Sequence, residues 1–99
     1  MSQRITDAML ESRVRRLNQL TNSPCTPYSQ VGSMSIANVG NFHISHAYGG
    51  VCLHRMCNES GGIRTPLISY HTTRRELYDL MNAFADGIMF AQEEMTATA

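Results

Sequence analysis

The sequence predicts an α+β fold in which an N-terminal helix, a four-stranded antiparallel β-meander and a C-terminal helix follow one another. Two observations predict the helices, because apolar residues recur at helical spacing near both ends of the chain. A third predicts the meander, because strand-like runs separated by turn residues lie between the helices. The 99 residues suffice for one modest core, so we expect a single domain over 1–99.

The first helix is predicted over residues 5–21. Thr6 can cap its start, and Pro24 lies just beyond its end, where proline cannot continue a helix. Its apolar residues fall on one side of the helix, which predicts that this side is buried. They are Met9, Leu10, Val14, Leu17 and Leu20.

Strands are predicted over 33–39, 42–48, 51–57 and 63–70. The Gly49-Gly50 pair is interpreted as a two-residue hairpin loop, because glycine accepts a positive φ at little cost. This loop sets His43 opposite Met56 on the neighbouring strand. Pro66 cannot donate a ladder hydrogen bond, so the last strand is predicted at a sheet edge.

The C-terminal helix is predicted over residues 73–94. Thr73 and Glu76 have the spacing of a capping box, in which each side chain bonds the other residue's backbone N–H. The apolar stripe of this helix is Leu77, Leu80, Met81, Phe84, Ile88 and Ala91. Tyr78, Met89 and Phe90 lie off that stripe, so we expect them to be exposed in a monomer and to form a homo-oligomer interface, most simply in a dimer.

Charge and hydropathy limit the classes of partner that we expect. The chain has eight basic and eight acidic residues, so it lacks the positive field of nucleic-acid-binding proteins, and we expect no nucleic-acid partner. No apolar run is long enough to span a membrane, and Met1–Leu10 lacks the apolar core of a signal peptide. We therefore expect a cytoplasmic protein with no membrane partner.

Metal-ligand residue types occur together in the middle of the chain. His43, Cys52 and His54 share one face of the predicted hairpin. The chain has no C-x-x-C pair, so we predict no metal and no cofactor, while metal binding by these three residues stays open as an alternative.

Ser45 lies opposite His54 in the predicted pairing, but no acid completes a triad. We predict no catalytic residue and no enzymatic activity.

Arginines near glycine turns predict a second kind of ligand. Arg55, Arg64 and Arg74 accompany the double-glycine turns at 49–50 and 61–62, and Arg74 lies at the start of a predicted helix. Guanidinium groups and helix N-termini both bind phosphate. Binding or sequestration of a phosphate-bearing small ligand, such as a nucleotide, is therefore an alternative function.

Several segments together resemble small proteins encoded by tailed bacteriophages, a family without an assigned activity. The segments are Arg16-Leu17-Asn18-x-Leu20-Thr21-x-Ser23-Pro24, Asn38-x-Gly40-Asn41-Phe42-His43-Ile44, Ala47-Tyr48-Gly49-Gly50, Arg55-Met56-x-Asn58-Glu59-x-Gly61-Gly62 and Arg75-Glu76-Leu77-Tyr78. The resemblance implies a viral accessory protein in the host cytoplasm. It implies stoichiometric binding to a host component, including a component of host defence, or capture of a signalling nucleotide.

We predict that the partner-binding surface lies at the hairpin and its neighbouring turns. Its predicted residues are Asn41, His43, Tyr48, Arg55, Asn58 and Glu59. Two alternatives stay open, since Asn41 and Asn58 can form turns instead and Tyr48 can cover the core.

Overall fold

The computed structural model describes residues 4–97, so the predicted domain 1–99 extends outside the described residues at both ends. A helix lies at each end, α1 (Asp7–Leu20) and α2 (Arg74–Ala97). The strands between them are β1 (Tyr28–Val31), β2 (Met34–Ala37), β3 (Phe42–Ala47), β4 (Gly50–Met56) and β5 (Ile63–Arg64). The α+β class with terminal helices is confirmed. The single four-stranded meander is wrong, because the strands of residues 4–97 form two sheets, β1-β2 and β3-β4-β5.

The predicted strand 33–39 is one half of a separate hairpin. β1 pairs antiparallel with β2, and Val31 lies opposite Met34 across the Gly32-Ser33 loop. Gly32 has a φ of 63°, which glycine adopts without strain. No strand was predicted over residues 28–31, but Pro24 and Pro27 both precede β1 and leave its backbone free to pair.

The β3–β4 hairpin turns one residue earlier than predicted. Its loop is Tyr48-Gly49, and Gly50 pairs with Ala47. His43 consequently lies opposite His54 rather than Met56. The register differs from the predicted one by two residues, and because side chains alternate with a period of two, each residue keeps its predicted face.

The predicted strand 63–70 is shortened to β5. Pro66 lacks an N–H donor, and the chain leaves the sheet just before it. Residues 65–73, which we call the strap, then return to the edge of β4, where Thr72 forms an antiparallel bridge with Val51. Val51 and Thr72 exchange two backbone hydrogen bonds of 2.9 Å, which fix the end of the strap to the sheet.

Both helices pack against one face of β3 and β4. The fully buried residues of this core include Leu10, Leu17, Phe42, Val51, Leu53, Leu77 and Met81. The other face carries His43, Ser45, Cys52 and His54. Within the described residues, no helix is both long enough and apolar enough to cross a membrane.

Side-chain hydrogen bonds cap the start of each helix. Thr6 Oγ1 accepts a hydrogen bond from Met9 N at the start of α1. Thr73 Oγ1 accepts one from Glu76 N at 3.1 Å, as the capping box predicts. The Glu76 carboxylate, however, accepts a hydrogen bond from the Thr72 hydroxyl. The start of α2 is thereby tied to the strap.

Candidate functional site

The predicted binding residues divide between the two ends of the β3–β4–β5 sheet. Tyr48 lies in the loop after β3, whereas Asn58 and Glu59 lie in the turn after β4. In an antiparallel meander, successive turns lie at opposite ends of the sheet. One contiguous surface therefore does not include Tyr48 and the Asn58 turn together. We call the end of the sheet that carries Tyr48 the tyrosine end, and the end that carries Arg55, Arg64 and the Asn58 turn the arginine end.

Tyr48 dominates the tyrosine end. Its side chain is 96% exposed, so the alternative that it covers the core is wrong. Its φ is 54°, in the left-handed region, and its ring lies 5.7 Å from the His71 ring. Tyr70, the neighbour of His71 in the strap, is 57% exposed. This end of the sheet thus presents two aromatic rings to solvent.

Three histidines form a row on the sheet face opposite the helices. The ring centroids of His43 and His54 are 5.6 Å apart, and those of His54 and His71 are 6.3 Å apart. A hydrogen bond of 3.1 Å joins Ser45 Oγ and His71 Nε2. We call His43, His54 and His71 the histidine row. Sequence reasoning placed His43 and His54 on this face but did not include His71, because residue 71 fell between the predicted strand 63–70 and the predicted helix 73–94.

Burial lowers the pKa of two histidines in the row. The pKa of His54 is lowered mainly by desolvation, and the neighbouring His43 and His71 lower it further. The pKa of His43 is lowered by desolvation, and the Glu11 carboxylate partly offsets this. Both imidazoles are therefore neutral at pH 7. Beside them, desolvation raises the pKa of the Cys52 thiol, which lies 3.5 Å from Ile68 O in the strap.

Metal binding by His43, Cys52 and His54 gains no geometric support. Among residues 4–97, no three His, Cys, Asp or Glu side chains lie close enough together to hold a metal ion. Asn41 Oδ1 and His43 Nδ1 are 3.1 Å apart. Because an amide oxygen only accepts hydrogen bonds, His43 Nδ1 carries the proton in this contact.

The two asparagines at the arginine end organise the backbone. Asn41 is completely buried, and its Nδ2 donates to Pro24 O at 2.8 Å. Asn58 Oδ1 accepts hydrogen bonds from Ser60 N and Gly62 N, at 3.0 and 2.9 Å. Asn58 thus forms a turn, the use that was left open as an alternative, whereas the Asn41 side chain has a structural role through a contact 17 residues away in the chain. Glu59 is exposed, and its backbone oxygen accepts from Ala37 N across to the other sheet.

The three predicted phosphate-binding arginines do not converge. Arg55 donates to Gly40 O at 3.0 Å and lies 4.5 Å from the centroid of the Phe42 ring. Arg64 is exposed on β5, directly opposite Arg55. These two arginines line an open cleft of about 560 Å³ together with Ile63, Thr65 and Pro66.

Arg74 lies at the other end of the sheet. Its Nε donates to Asp7 Oδ1 at 2.9 Å, and His46 Nε2 lies 3.6 Å from the same oxygen. Hydrogen bonding to Arg74 lowers the pKa of Asp7. Arg55 lies four positions along β4 from Val51, which is beside the strap, and this corresponds to about 13 Å of extended chain. A single small ligand therefore does not reach Arg74 and the Arg55–Arg64 cleft in one protomer.

The predicted oligomer interface is only partly exposed. Tyr78 packs against the core beneath Arg13, whose guanidinium carbon is 5.7 Å from the ring centroid, so its expected exposure is wrong. Met89 is 36% exposed and Phe90 65%. Sequence reasoning missed Met95, which is 73% exposed farther along α2. It also missed Val31 and Met34 beside the β1–β2 loop, because that hairpin was not predicted.

Comparison of the chain with protein-family models, with curated proteins and with solved structures gave no match.

Proposed function

We propose that this chain is a non-enzymatic binding protein that engages one protein partner stoichiometrically through its tyrosine end. The observation that carries the proposal is Tyr48, an almost fully exposed aromatic residue in a left-handed backbone conformation. Following the resemblance to tailed-bacteriophage proteins, we further propose that the partner is a component of the bacterial host, with defence complexes as the first candidates.

The conformation of Tyr48 carries a stability cost. Both residues of the Tyr48-Gly49 loop have positive φ, as in a type I′ turn. Asn-Gly is the preferred pair there, and a non-glycine residue in this region costs about 1–2 kcal/mol. Because the Tyr48 side chain is exposed, burial of its ring does not offset this stability cost. The fold needs a positive φ at position 48 but does not need a tyrosine there, and strained residues of this kind are characteristic of functional positions.

The neighbourhood of Tyr48 suits protein recognition. The His71 ring lies 5.7 Å from the Tyr48 ring, and Tyr70, the chain neighbour of His71, is also exposed, so the surface offers aromatic rings with polar tips. Tyrosine is enriched at the centres of protein interfaces, because it buries a large area with few rotatable bonds. The two hydrogen bonds between Val51 and Thr72 hold the strap against the hairpin, so this surface is preorganised.

The experiment is a comparison of matched variants in host lysate and then with purified partner. Tagged wild-type protein is used to capture host proteins, which mass spectrometry identifies, and a candidate is re-bound in purified form. We expect a 1:1 complex whose dissociation constant rises at least about tenfold in Tyr48→Asn. Tyr28→Asn, at the other sheet, is the control and should bind like wild type. Equal binding by wild type and Tyr48→Asn would contradict the proposal.

A second candidate function has one specific observation in its favour. Arg55 and Arg64 lie directly opposite each other on adjacent strands, an arrangement that is destabilising for like charges unless an anion lies between them. The cleft that they line is large enough for a nucleotide phosphate group. We propose binding of a phosphate-bearing small ligand there as the alternative.

Thermal unfolding with nucleotides and cyclic dinucleotides tests this alternative. A ligand at about 100 times its dissociation constant adds about 2.7 kcal/mol of stability, which raises the melting temperature by several degrees. Arg64→Gln should abolish the shift, whereas Arg74→Gln should preserve it because Arg74 lies at the other end of the sheet. The alternative is rejected if no nucleotide shifts the melting temperature.

A further inference from the structure

We propose that the histidine row is an acid-sensitive latch that holds the strap against β4 at neutral pH and releases it in mildly acidic solution. The proposal is independent of the identity of any partner. It rests on the placement of three imidazoles across three separate parts of the chain: His43 on β3, His54 on β4 and His71 on the strap.

The strap is attached to the sheet beside these histidines. Its contacts there are the hydrogen bond between Ser45 and His71, the paired hydrogen bonds between Val51 and Thr72, and the Cys52 thiol against Ile68 O. Each lies on or next to the row. A change of charge in the row therefore acts on the segment that holds the strap.

Protonation would introduce repulsion with little compensation. His54 lies between His43 and His71, so a charge on it meets an imidazole on either side. The strap contributes His71, the hairpin loop contributes Tyr48, and β4 contributes the Cys52 thiol. Helix α1 contributes one acid, Glu11, which acts on His43. The Asp7 carboxylate is engaged with His46 and Arg74 instead.

The direction of the pH effect follows from linkage. The pKa of His54 is lowered mainly by desolvation and further by the neighbouring imidazoles, of which His71 belongs to the strap, so His54 binds a proton more readily in the released state than in the latched state. The latch is therefore fully stable above the ordinary histidine pKa of about 6.5 and weakens as the pH falls below it. From about pH 7.5 to about pH 5.5, protonation of His54 favours release by up to about tenfold.

Cys52 provides a direct measure of release, because it is buried under the strap. Cys25 and Cys57 are exposed and are first replaced by serine, which leaves Cys52 as the one thiol. The rate of its reaction with 4,4′-dithiodipyridine is measured in the folded protein and in urea-unfolded protein at each pH. Their ratio gives the protection of Cys52 without the pH dependence of the thiol itself.

We expect the protection of Cys52 to fall severalfold, by up to about tenfold, between about pH 7.5 and about pH 5.5. His54→Gln should remove most of this dependence, and His71→Gln serves as a second variant. His46→Gln, on the helix-covered face, should behave like wild type.

Three results would overturn the latch. They are a protection of Cys52 that does not change with pH, an unchanged dependence in both histidine variants, and a parallel loss of helical circular dichroism, which indicates global unfolding rather than release of the strap.

Discussion

Single residues beside the hairpin loop determine its register. Gly50 is required in β4 because the strap passes close to it, and a Cβ atom there would lie 2.8 Å from Thr72 O. Gly49 has a φ of 73° and stays in the loop. With Gly50 committed to the strand, Tyr48 becomes the other loop residue and takes a positive φ. The strain at Tyr48 and the close packing at Gly50 are thus two consequences of one arrangement.

Replacement of Tyr48 by asparagine should stabilise the protein. Asparagine tolerates the left-handed region and forms the preferred Asn-Gly loop, so we expect the free energy of unfolding to rise by about 1 kcal/mol. Urea denaturation followed by circular dichroism measures it. Tyr48→Ala is the control, since alanine retains the strain and should give no comparable gain. A loss of stability in Tyr48→Asn would show that the ring contributes more through His71 than its exposure indicates.

Replacement of Gly50 by alanine should destabilise the protein by about 1–3 kcal/mol, because the added methyl group meets the Thr72 carbonyl and the backbone of His71. The matched control is Gly87→Ala in α2. A Cβ atom there meets nothing within 4 Å, and alanine favours a helix, so this variant should gain about 0.5–1 kcal/mol. Equal effects of the two substitutions would contradict the close approach of the strap.

At the level of elements, the sequence predicted what local periodicity determines. The helical stripes gave both helices to within a few residues, because the alternation of apolar and polar residues reflects burial directly. The faces of β3 and β4 were also predicted, since a shift of two residues preserves them. The register of β3 and β4 was not predicted correctly, because it depends on the strap, which lies more than 20 residues along the chain from Gly50 and contacts it.

The binding surface was not predicted correctly from the sequence, for a related reason. Asn41 and Arg55 have side chains that suit recognition, but both are used internally, on Pro24 O and Gly40 O. These partners lie 17 and 15 residues away in the chain, so no local pattern reveals them. The separation of Tyr48 from the Asn58 turn, in contrast, follows from the alternation of turns in a meander and was available from the sequence.

The free edge of β3 depends on one side chain of α1. Asn18 is buried, its Nδ2 donates to Phe42 O at 3.1 Å, and Phe42 N donates to its Oδ1 at 2.8 Å. The amide thus replaces a neighbouring strand at this position. Removing it leaves two buried backbone groups unpaired, each at a cost of about 1–3 kcal/mol.

Asn18→Ala should therefore lower the free energy of unfolding by about 2 kcal/mol or more. Chemical denaturation measures the loss, and hydrogen exchange should show faster exchange of the Phe42 amide. Gln19→Ala, at the next and exposed position of α1, should change the free energy of unfolding by less than about 0.5 kcal/mol. A small effect of Asn18→Ala would mean that water replaces the amide without loss.

At the scale of the whole molecule, the described chain is less compact than its length allows. The Cα radius of gyration is 14.7 Å, compared with about 13 Å for a compact domain of this size. Apolar side chains are exposed on the β1–β2 hairpin, at Val31 and Met34, and on the last turns of α2, at Phe90 and Met95. An isolated two-stranded hairpin is marginally stable by itself, and exposed apolar patches are typical of interaction surfaces.

Self-association through the last turns of α2 is the corresponding prediction. Phe90 and Met95 are largely exposed, and a twofold axis beside α2 would bury them against the same residues of a second copy. Sedimentation velocity over a range of concentrations should show a species of twice the 11.0 kDa monomer mass. Phe90→Glu should restore the monomer, because it would bury a charge at the interface. Met34→Glu, on the β1–β2 hairpin, should still dimerise. If the wild type sediments as a monomer throughout, or if only Met34→Glu disrupts the dimer, the interface does not lie on α2.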